Sequence, residues 1–355
     1  MTPSPRQKRP TIYDVAERAG VSKSLVSLVL QNSPRVSDEK RAAVRTAIQE
    51  LGYLPSRAAT ALAGNRTRAI GVMIDDFRNP WFVDLLEGMQ EVLNGPGFHV
   101  TVADANLNAH LEQSPTSGFL AAGVEGLVIG GDVDSVPAEG FPVPTVVAGN
   151  RATVPVGADL VANDDEAGAR LAVEHLRALG HTQIGHVTGS GRAAELRRSA
   201  YDAAMREAGL APRIIGGTGV TDQDEGRRAS RELFERWPET TAVFAANDVM
   251  ALGVLGTLDE LGMRVPANVS IVGYDDSHLA GADHLSLTSV DDRSADVGRV
   301  AAELLLARID GRLPSASELT ASSELTVSGE TCGVRRLIQP TLTVRGSTSV
   351  ASRSS

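Results

Sequence analysis

The chain has 355 residues, 42% hydrophobic and 22% charged, with a formal net charge of −10, the profile of a globular protein long enough for two or three domains. No stretch approaches the roughly 20 apolar residues of a membrane span, and the opening MTPSPRQKRP lacks the apolar core of an export signal, so a cytoplasmic protein is expected. The charge is unevenly spread: residues 1–68 carry 12 Lys and Arg against 5 Asp and Glu, net +7, and the remainder carries 22 against 39, net −17.

A basic head on an acidic body implies a nucleic-acid-binding segment joined to a domain with other work. Thr11 precedes apolar residues Ile12, Val15, Ala16 and Ala19 at helical spacing, and Asp14 completes a capping box with a shorter carboxylate. A first helix is expected from about Ile12 to Ala19. Gly20 then tolerates a positive φ, Val21 plugs the angle between helices, and Ser22 caps a second helix from Lys23 to about Leu30. Ala16 is small where the helices touch and Val26 fills the space behind, so the spacing is that of a helix-turn-helix. Its second helix exposes Lys23, Ser24, Ser27, Leu28 and Gln31, a mostly uncharged face suited to the major groove. A third helix is capped by Ser37, carries Asp38 and Glu39 in its first turn, buries Val44, Ala47, Ile48 and Leu51, and ends at Gly52.

Residues 56–63 are helix-permissive but too short to hold a helix alone. Beyond Arg68 the runs AIGVMI, FHVTV, GLVIG, PTVVAG, QIGHVT, TAVFAA and VSIVGY read as buried strands. Helical stretches intervene at Trp81–Leu93, Glu166–Leu179, Glu195–Ala208, Asp248–Leu261 and Asp296–Ile309. The expected fold class is therefore α/β, with parallel sheets covered on both faces. Ligands of such sheets bind beyond the strands' carboxyl ends. Those ends carry Asp76, Trp81 and Phe82, then Asn150, Arg197, Asn247, Asp248 and Asp275; Asn150, Asp164 and Asp275 serve equally well as helix or turn caps. Pro314–Gly333 is longer than its connection needs and is expected to be a mobile loop or a small β excursion. The lone Cys332 has neither a disulfide partner nor metal-ligand companions.

From Thr11 to about Gly346 this sequence resembles the LacI/GalR (lactose-repressor) family of bacterial transcription regulators. The resemblance implies an N-terminal helix-turn-helix DNA-binding domain (1–55), a hinge helix and linker (56–68), and a two-lobed periplasmic-binding-protein-like (type I) domain (69–346). Lobe one would hold about 69–163 and 292–315, and lobe two 164–291 and 336–346. Crossings fall near Asn163, Asp291 and residues 315–335, with a disordered tail at 347–355. It places Lys23, Ser24 and Leu28 at base-reading positions and Thr11, Tyr13, Ser27, Arg35, Ser37 and Lys40 near phosphates. It also implies a hinge that folds when two copies pair on DNA, with Leu62 wedging into the minor groove, Ala59 against its partner and Ser56 where Asn is usual.

The partners so implied are a near-palindromic double-stranded DNA operator, a second copy of the chain in a homodimer, and a small effector at Asp76, Trp81, Phe82, Asn150, Arg197, Asn247, Asp248 and Asp275. Val220 and Thr221 stand where members often carry an aromatic, which favours a sugar or polyol over a purine. Thr60 is a further departure, and Leu28 can touch a thymine methyl but not read guanine. No HExxH, zinc or triad pattern argues for an enzyme, a metal or a cofactor. The alternatives are an effector-independent or activating regulator of the same fold, and a solute-binding module without a regulatory role.

Overall fold

The structure, a computed structural model, describes residues 10–30, 33–53, 66–110, 114–131, 137, 139–152, 154–312, 323–327 and 333–351. Two compact units divide at Thr67/Arg68.

In the first unit, α1 (Ile12–Arg18), α2 (Lys23–Leu30) and α3 (Asp38–Leu51) close on a small core of Val15, Ala16, Val26, Val29, Val36, Val44, Ala47 and Tyr53. The capping box is present: the Asp14 carboxylate accepts the Thr11 N–H at 2.6 Å, and Thr11 Oγ1 accepts the Asp14 N–H at 3.4 Å. Gly20 turns the chain at φ 63°, and Ser22 Oγ accepts the Leu25 N–H at 3.2 Å. Ser37 precedes α3 as expected, yet its side chain makes no capping bond.

The second unit is built on two sheets. The first has the order β11-β12-β5-β4-β3-β1-β2 and the second β13-β10-β9-β8-β6-β7. The strands are β1 (Ala69–Ile74), β2 (His99–Asp104), β3 (Gly126–Ile129), β4 (Thr145–Ala148), β5 (Asp159–Asn163), β6 (Ile184–Thr188), β7 (Ile214–Gly216), β8 (Ala242–Ala245), β9 (Ser270–Tyr274), β10 (Thr288–Asp291), β11 (Ser323–Val327), β12 (Val334–Ile338) and β13 (Thr341–Thr343). Pairing is parallel except at β11/β12 and β10/β13.

Helices α4 (Trp81–Leu93), α5 (Pro115–Ala121) and α10 (Ser294–Ile309) cover the first sheet; α6 (Asp165–Ala178), α7 (Arg192–Glu207), α8 (Gln223–Arg236) and α9 (Asp248–Glu260) cover the second. Strands β1, β3, β4, β6, β8 and β9 are buried along their whole length, which is why they read as unbroken apolar runs.

The chain passes between the sheets after Asn163, after Asp291 and at Gln339–Pro340. The last crossing corrects the expected one at 315–335. Residues 336–338 also leave lobe two for the first sheet, where β12 pairs with β5. The expected tail needs correction as well, because residues 347–351 are tied down: Ser347 Oγ accepts the Thr288 N–H at 2.8 Å, and the Ala351 N–H bonds Leu179 O at 2.9 Å. Within the long 314–333 segment, β11 is a β excursion; Cys332 and residues 352–355 lie outside the described residues.

Helices α4 and α10 approach through glycine. A Cβ on Gly88 would lie 1.9 Å from Ala295 O, and one on Gly298 2.0 Å from Leu85 O. Gly118, exposed in α5, has nothing within 4 Å of the same position. Gly88→Ala is therefore expected to destabilise by about 1–3 kcal/mol through overpacking, whereas Gly118→Ala should leave stability unchanged or raise it by up to about 1 kcal/mol. Thermal melts of the two variants check this; equal melting temperatures would refute the close helix contact.

Candidate functional site

In the first unit Lys23 and Ser24 of α2 are exposed. Tyr13, 64% exposed on α1, accepts a hydrogen bond from Lys23 Nζ at 3.2 Å, with the ammonium 4.9 Å from its ring centre. Arg35, Ser37 and Lys40 are exposed, and so is Thr11, although its side chain is engaged in the capping box. Leu28 and Ser27 differ from the expectation: both are half-buried, and Leu28 also packs on the head core. Its apolar side chain thus stabilises the head as well as facing outward. Gln31, Ser56, Ala59, Thr60 and Leu62 lie outside the described residues.

In the second unit the strand ends surround a cleft of about 240 Å³. Of the residues expected there, Asp76, Trp81, Phe82, Asn150, Arg197, Asn247 and Asp275 line it. Asp248 does not. Its carboxylate accepts the Ser277 N–H at 2.8 Å and hydroxyl at 2.9 Å from the loop after β9, and the Ser289 hydroxyl at 2.6 Å from β10. A carboxylate satisfied in this way has little left for a ligand, and burial pushes it up to about 6. Asp164 is a helix cap, accepting the Ala167 N–H at 2.9 Å.

The floor of the cleft is organised by Arg197. Its Nε donates to Asp165 Oδ1 at 2.6 Å and its Nη1 to Ala246 O at 2.6 Å; Asp275 lies at 3.4 Å and Asp292 at 4.0 Å. The guanidinium sits 3.5 Å from the centre of the Tyr274 ring. Asp165 is held in turn by Asn150 Nδ2 at 2.7 Å and Asn163 Nδ2 at 2.9 Å. Asp292 accepts the indole N–H of Trp81 at 2.8 Å. This joins α4 of the first lobe to α7 of the second through the segment that crosses between them.

Three buried carboxyls around one guanidinium leave an excess of negative charge in a poorly solvated place. Burial is the main cause raising Asp292 to about 8, against the pull of Arg197, and it lifts Asp275 well above the carboxylate range. Burial opposes the charge on Arg197, but Asp165, Tyr274, Asp275 and Asp292 together hold it protonated. Burial thus favours the neutral form of Asp275 and Asp292, which lessens the excess of negative charge around Arg197. Around it the cleft offers acceptors at Asp76, Asp275 and the Asn150 side-chain oxygen, and a donor in Arg197 Nη2, which lies 4.0 Å from Asp292. Trp81 and Phe82 meet edge to face at 5.1 Å and serve both the core and the cleft wall.

Sequence reasoning did not single out Asp165, Asp292 or Arg151. Arg151 stands 5.4 Å from the Trp81 ring centre and donates to Gly130 O. Asp165 adjoins the conspicuous Asp164, and Asp292 follows a strand, TSVD, too short and polar to stand out; nothing local distinguished either. Among the described residues, no group of three or more His, Cys, Asp or Glu could hold a metal ion, and no helix is long and apolar enough to cross a membrane.

Residues 11–56 match the model for bacterial regulatory proteins of the lacI family, and residues 173–348 that of the periplasmic binding protein-like domain. The chain is 34% identical to the HTH-type transcriptional regulator CelR of Thermobifida fusca, over 91% of this chain and 98% of that one. It belongs to the lacI family of bacterial regulatory proteins. This regulator also superposes on the lac repressor dimer bound to operator and the anti-inducer ONPF, with a TM-score of 0.75, 27% identity and coverage of 96% of this chain and 100% of that one. A complex of CelR with cellobiose gives a TM-score of 0.64 at 30% identity, over 96% and 100% of the two chains. The lacI-family regulator is thus a sequence-specific DNA-binding protein with a helix-turn-helix head and a type I periplasmic-binding-like body. Its relatives are transcriptional regulators, not enzymes.

Proposed function

We propose that the regulator works as a homodimer whose two α2 helices read the half-sites of a near-palindromic operator. Lys23, Ser24 and Leu28 face base edges, and Thr11, Tyr13, Ser27, Arg35, Ser37 and Lys40 face phosphates. Ser56, Ala59 and Leu62 act in the minor groove at the centre, where a leucine wedge opens a base step at a cost offset by the contacts a bent duplex permits. A small effector rich in hydroxyls, a sugar or polyol, occupies the cleft and meets Asp76, Trp81, Phe82, Asn150, Arg197, Asn247 and Asp275.

The observation that carries the effector reading is the composition of the cleft. Donors and acceptors converge there above a floor in which three carboxyls share one guanidinium, and a hydroxyl both donates and accepts. Such a ligand touches both lobes beside the crossing at Asp292, so its affinity differs between lobe arrangements, and that difference is the only route by which it can shift an equilibrium.

Titrating a fluorescent operator complex with a panel of sugars and polyols tests the reading. At least one compound is expected to change operator affinity about 5- to 150-fold, the span of a coupling of about 1–3 kcal/mol; the direction of change tells induction from co-repression. If every compound leaves the affinity unchanged, the effector assignment falls.

A further inference from the structure

Helix α2 carries one charged residue, Lys23, and it stands in the first turn. Of the other side chains set to face base edges, Ser24 can donate or accept a hydrogen bond and Leu28 can do neither. The first residues of a recognition helix are the ones that meet base edges, so discrimination by α2 rests chiefly on where the Lys23 ammonium is held. A loose lysine is a poor reader, because its point charge settles on any nearby phosphate.

Lys23 is not loose. Its Nζ donates to the Tyr13 hydroxyl at 3.2 Å and lies 4.9 Å from the ring centre, within reach of cation–π attraction. The two residues belong to different helices, so the contact ties the outer faces of α1 and α2 together. Both are exposed, Tyr13 to 64%, and neither belongs to the core of the head. The pair therefore acts on the surface rather than in folding.

The number of donors narrows the base. An ammonium has three N–H donors and no acceptor; one is directed to Tyr13, and two remain. In the major groove guanine presents two neighbouring acceptors, O6 and N7. Adenine sets a donor amino group beside its N7, cytosine offers a donor, and thymine offers a single O4 beside a methyl group. Guanine alone uses both remaining donors. The Tyr13 hydroxyl accepts from Lys23, and its own proton has no acceptor among the described residues, which leaves it to a phosphate oxygen. One hydroxyl then links a contact that sets position to a contact that sets sequence.

We infer that Tyr13 and Lys23 read DNA as one unit: Tyr13, anchored on a phosphate, holds the Lys23 ammonium against O6 and N7 of a guanine, the base that most distinguishes the half-site. The inference rests on the reading of α2 as the base-reading helix given above. It adds the base, the lysine that selects it and the tyrosine that positions the lysine.

Selection by the full chain from a library of palindromes with randomised half-sites, followed by titration of the selected operator and its single-base variants, tests this. One guanine per half-site is expected to dominate, and replacing it should weaken binding about 5- to 150-fold, the discrimination of one good bidentate contact. Lys23→Met should reduce that discrimination to within about twofold. Tyr13→Phe keeps the ring and loses the hydroxyl; it should cut discrimination at the same guanine about threefold or more and leave the other positions unchanged. In a Lys23→Met background it should have no further effect at that guanine, as expected of coupled residues. Lys40→Met, by contrast, should weaken all sequences alike and lower the salt dependence. The proposal is overturned if Lys23→Met leaves the preference for guanine intact, or if Tyr13→Phe weakens every sequence equally, as a phosphate contact alone would. If Ser24→Ala alters the selected half-site while Lys23→Met does not, this inference fails and the reading of α2 stands; if the parent selects bases that neither substitution alters, both fail.

Discussion

Replacing Arg197 with methionine is expected to destabilise the body by about 3–5 kcal/mol near pH 7.5, the usual cost of removing one partner from a buried ionic cluster, and to abolish effector binding. The reason lies in what remains. Asp165, Asp275 and Asp292 are each no more than 5% exposed and would lose their shared cation. Methionine fills similar space without charge, so the loss is electrostatic more than steric. The deficit should depend on pH in a definite direction. A carboxyl whose folded pKa lies above its unfolded value binds more protons in the folded state, so it contributes stability fully below the unfolded pKa and loses it as pH rises through the folded one. Asp292, at about 8, and Asp275, raised well above the usual range, both have this sign in the parent. Parent stability should therefore fall from about pH 4 towards pH 8 on their account. Without Arg197 the carboxyls are raised further, so the slope steepens and the deficit narrows in acid. Circular-dichroism melts of both proteins at pH 5.5 and pH 8 decide the matter. A deficit of the same size at both pH values would show that the guanidinium acts by packing on Tyr274 rather than by holding charge.

Removing residues 1–67 should cost specific operator binding entirely, a fall of about 10³-fold or more to the non-specific level, and should leave a folded body that still binds effector. Both sheets and their four apolar clusters lie wholly within residues 68–355, so the body loses no residue of its own core. The truncated protein should therefore melt cooperatively and be stabilised by about 2.7 kcal/mol at an effector concentration 100 times Kd. The acidic remainder, with 23 Lys and Arg against 39 Asp and Glu, net −16, also repels the phosphate backbone. Specific footprinting by the truncated chain would place the DNA-reading surface in the body and sink the assignment of the head.

The head was the most legible part because its signals are local. A capping box spans three residues, a positive-φ glycine announces itself, and the apolar residues of α1 to α3 recur at one helical period. The fully buried strands were legible for the same reason. Harder to see were β5, DLVAN, and α8, QDEGRRASRELFER. Strand β5 begins with an aspartate that is buried because Arg308 holds it at 2.7 Å from a helix 149 residues away. Helix α8 is largely polar, and its narrow stripe of Ala229, Leu233 and Phe234 reaches the core only because α9 covers it.

The candidate site divides in the same way. Seven of the eight residues expected at strand ends line one cleft because parallel sheets deliver their loops to one edge, and that much is a consequence of chain order. Which carboxylate faces the cleft was not in the chain order. Asp248 follows its strand as a cleft residue should, but turns inward to Ser277 and Ser289. Asp165 and Asp292, neither of them prominent in the sequence, meet on Arg197 instead, and Trp81 reaches Asp292 across 211 positions. The crossing at Gln339–Pro340 and the pinned residues 347–351 were likewise decided by pairing partners far away in sequence. The sequence by itself determined the helix-turn-helix head, the alternation of strands and helices and the basic-to-acidic division, since each follows from spacing or composition within a few turns of chain. Only the tertiary structure decided how charge is balanced in the cleft, because the energy of a buried carboxylate depends on the cation beside it, and that neighbour is chosen by the fold.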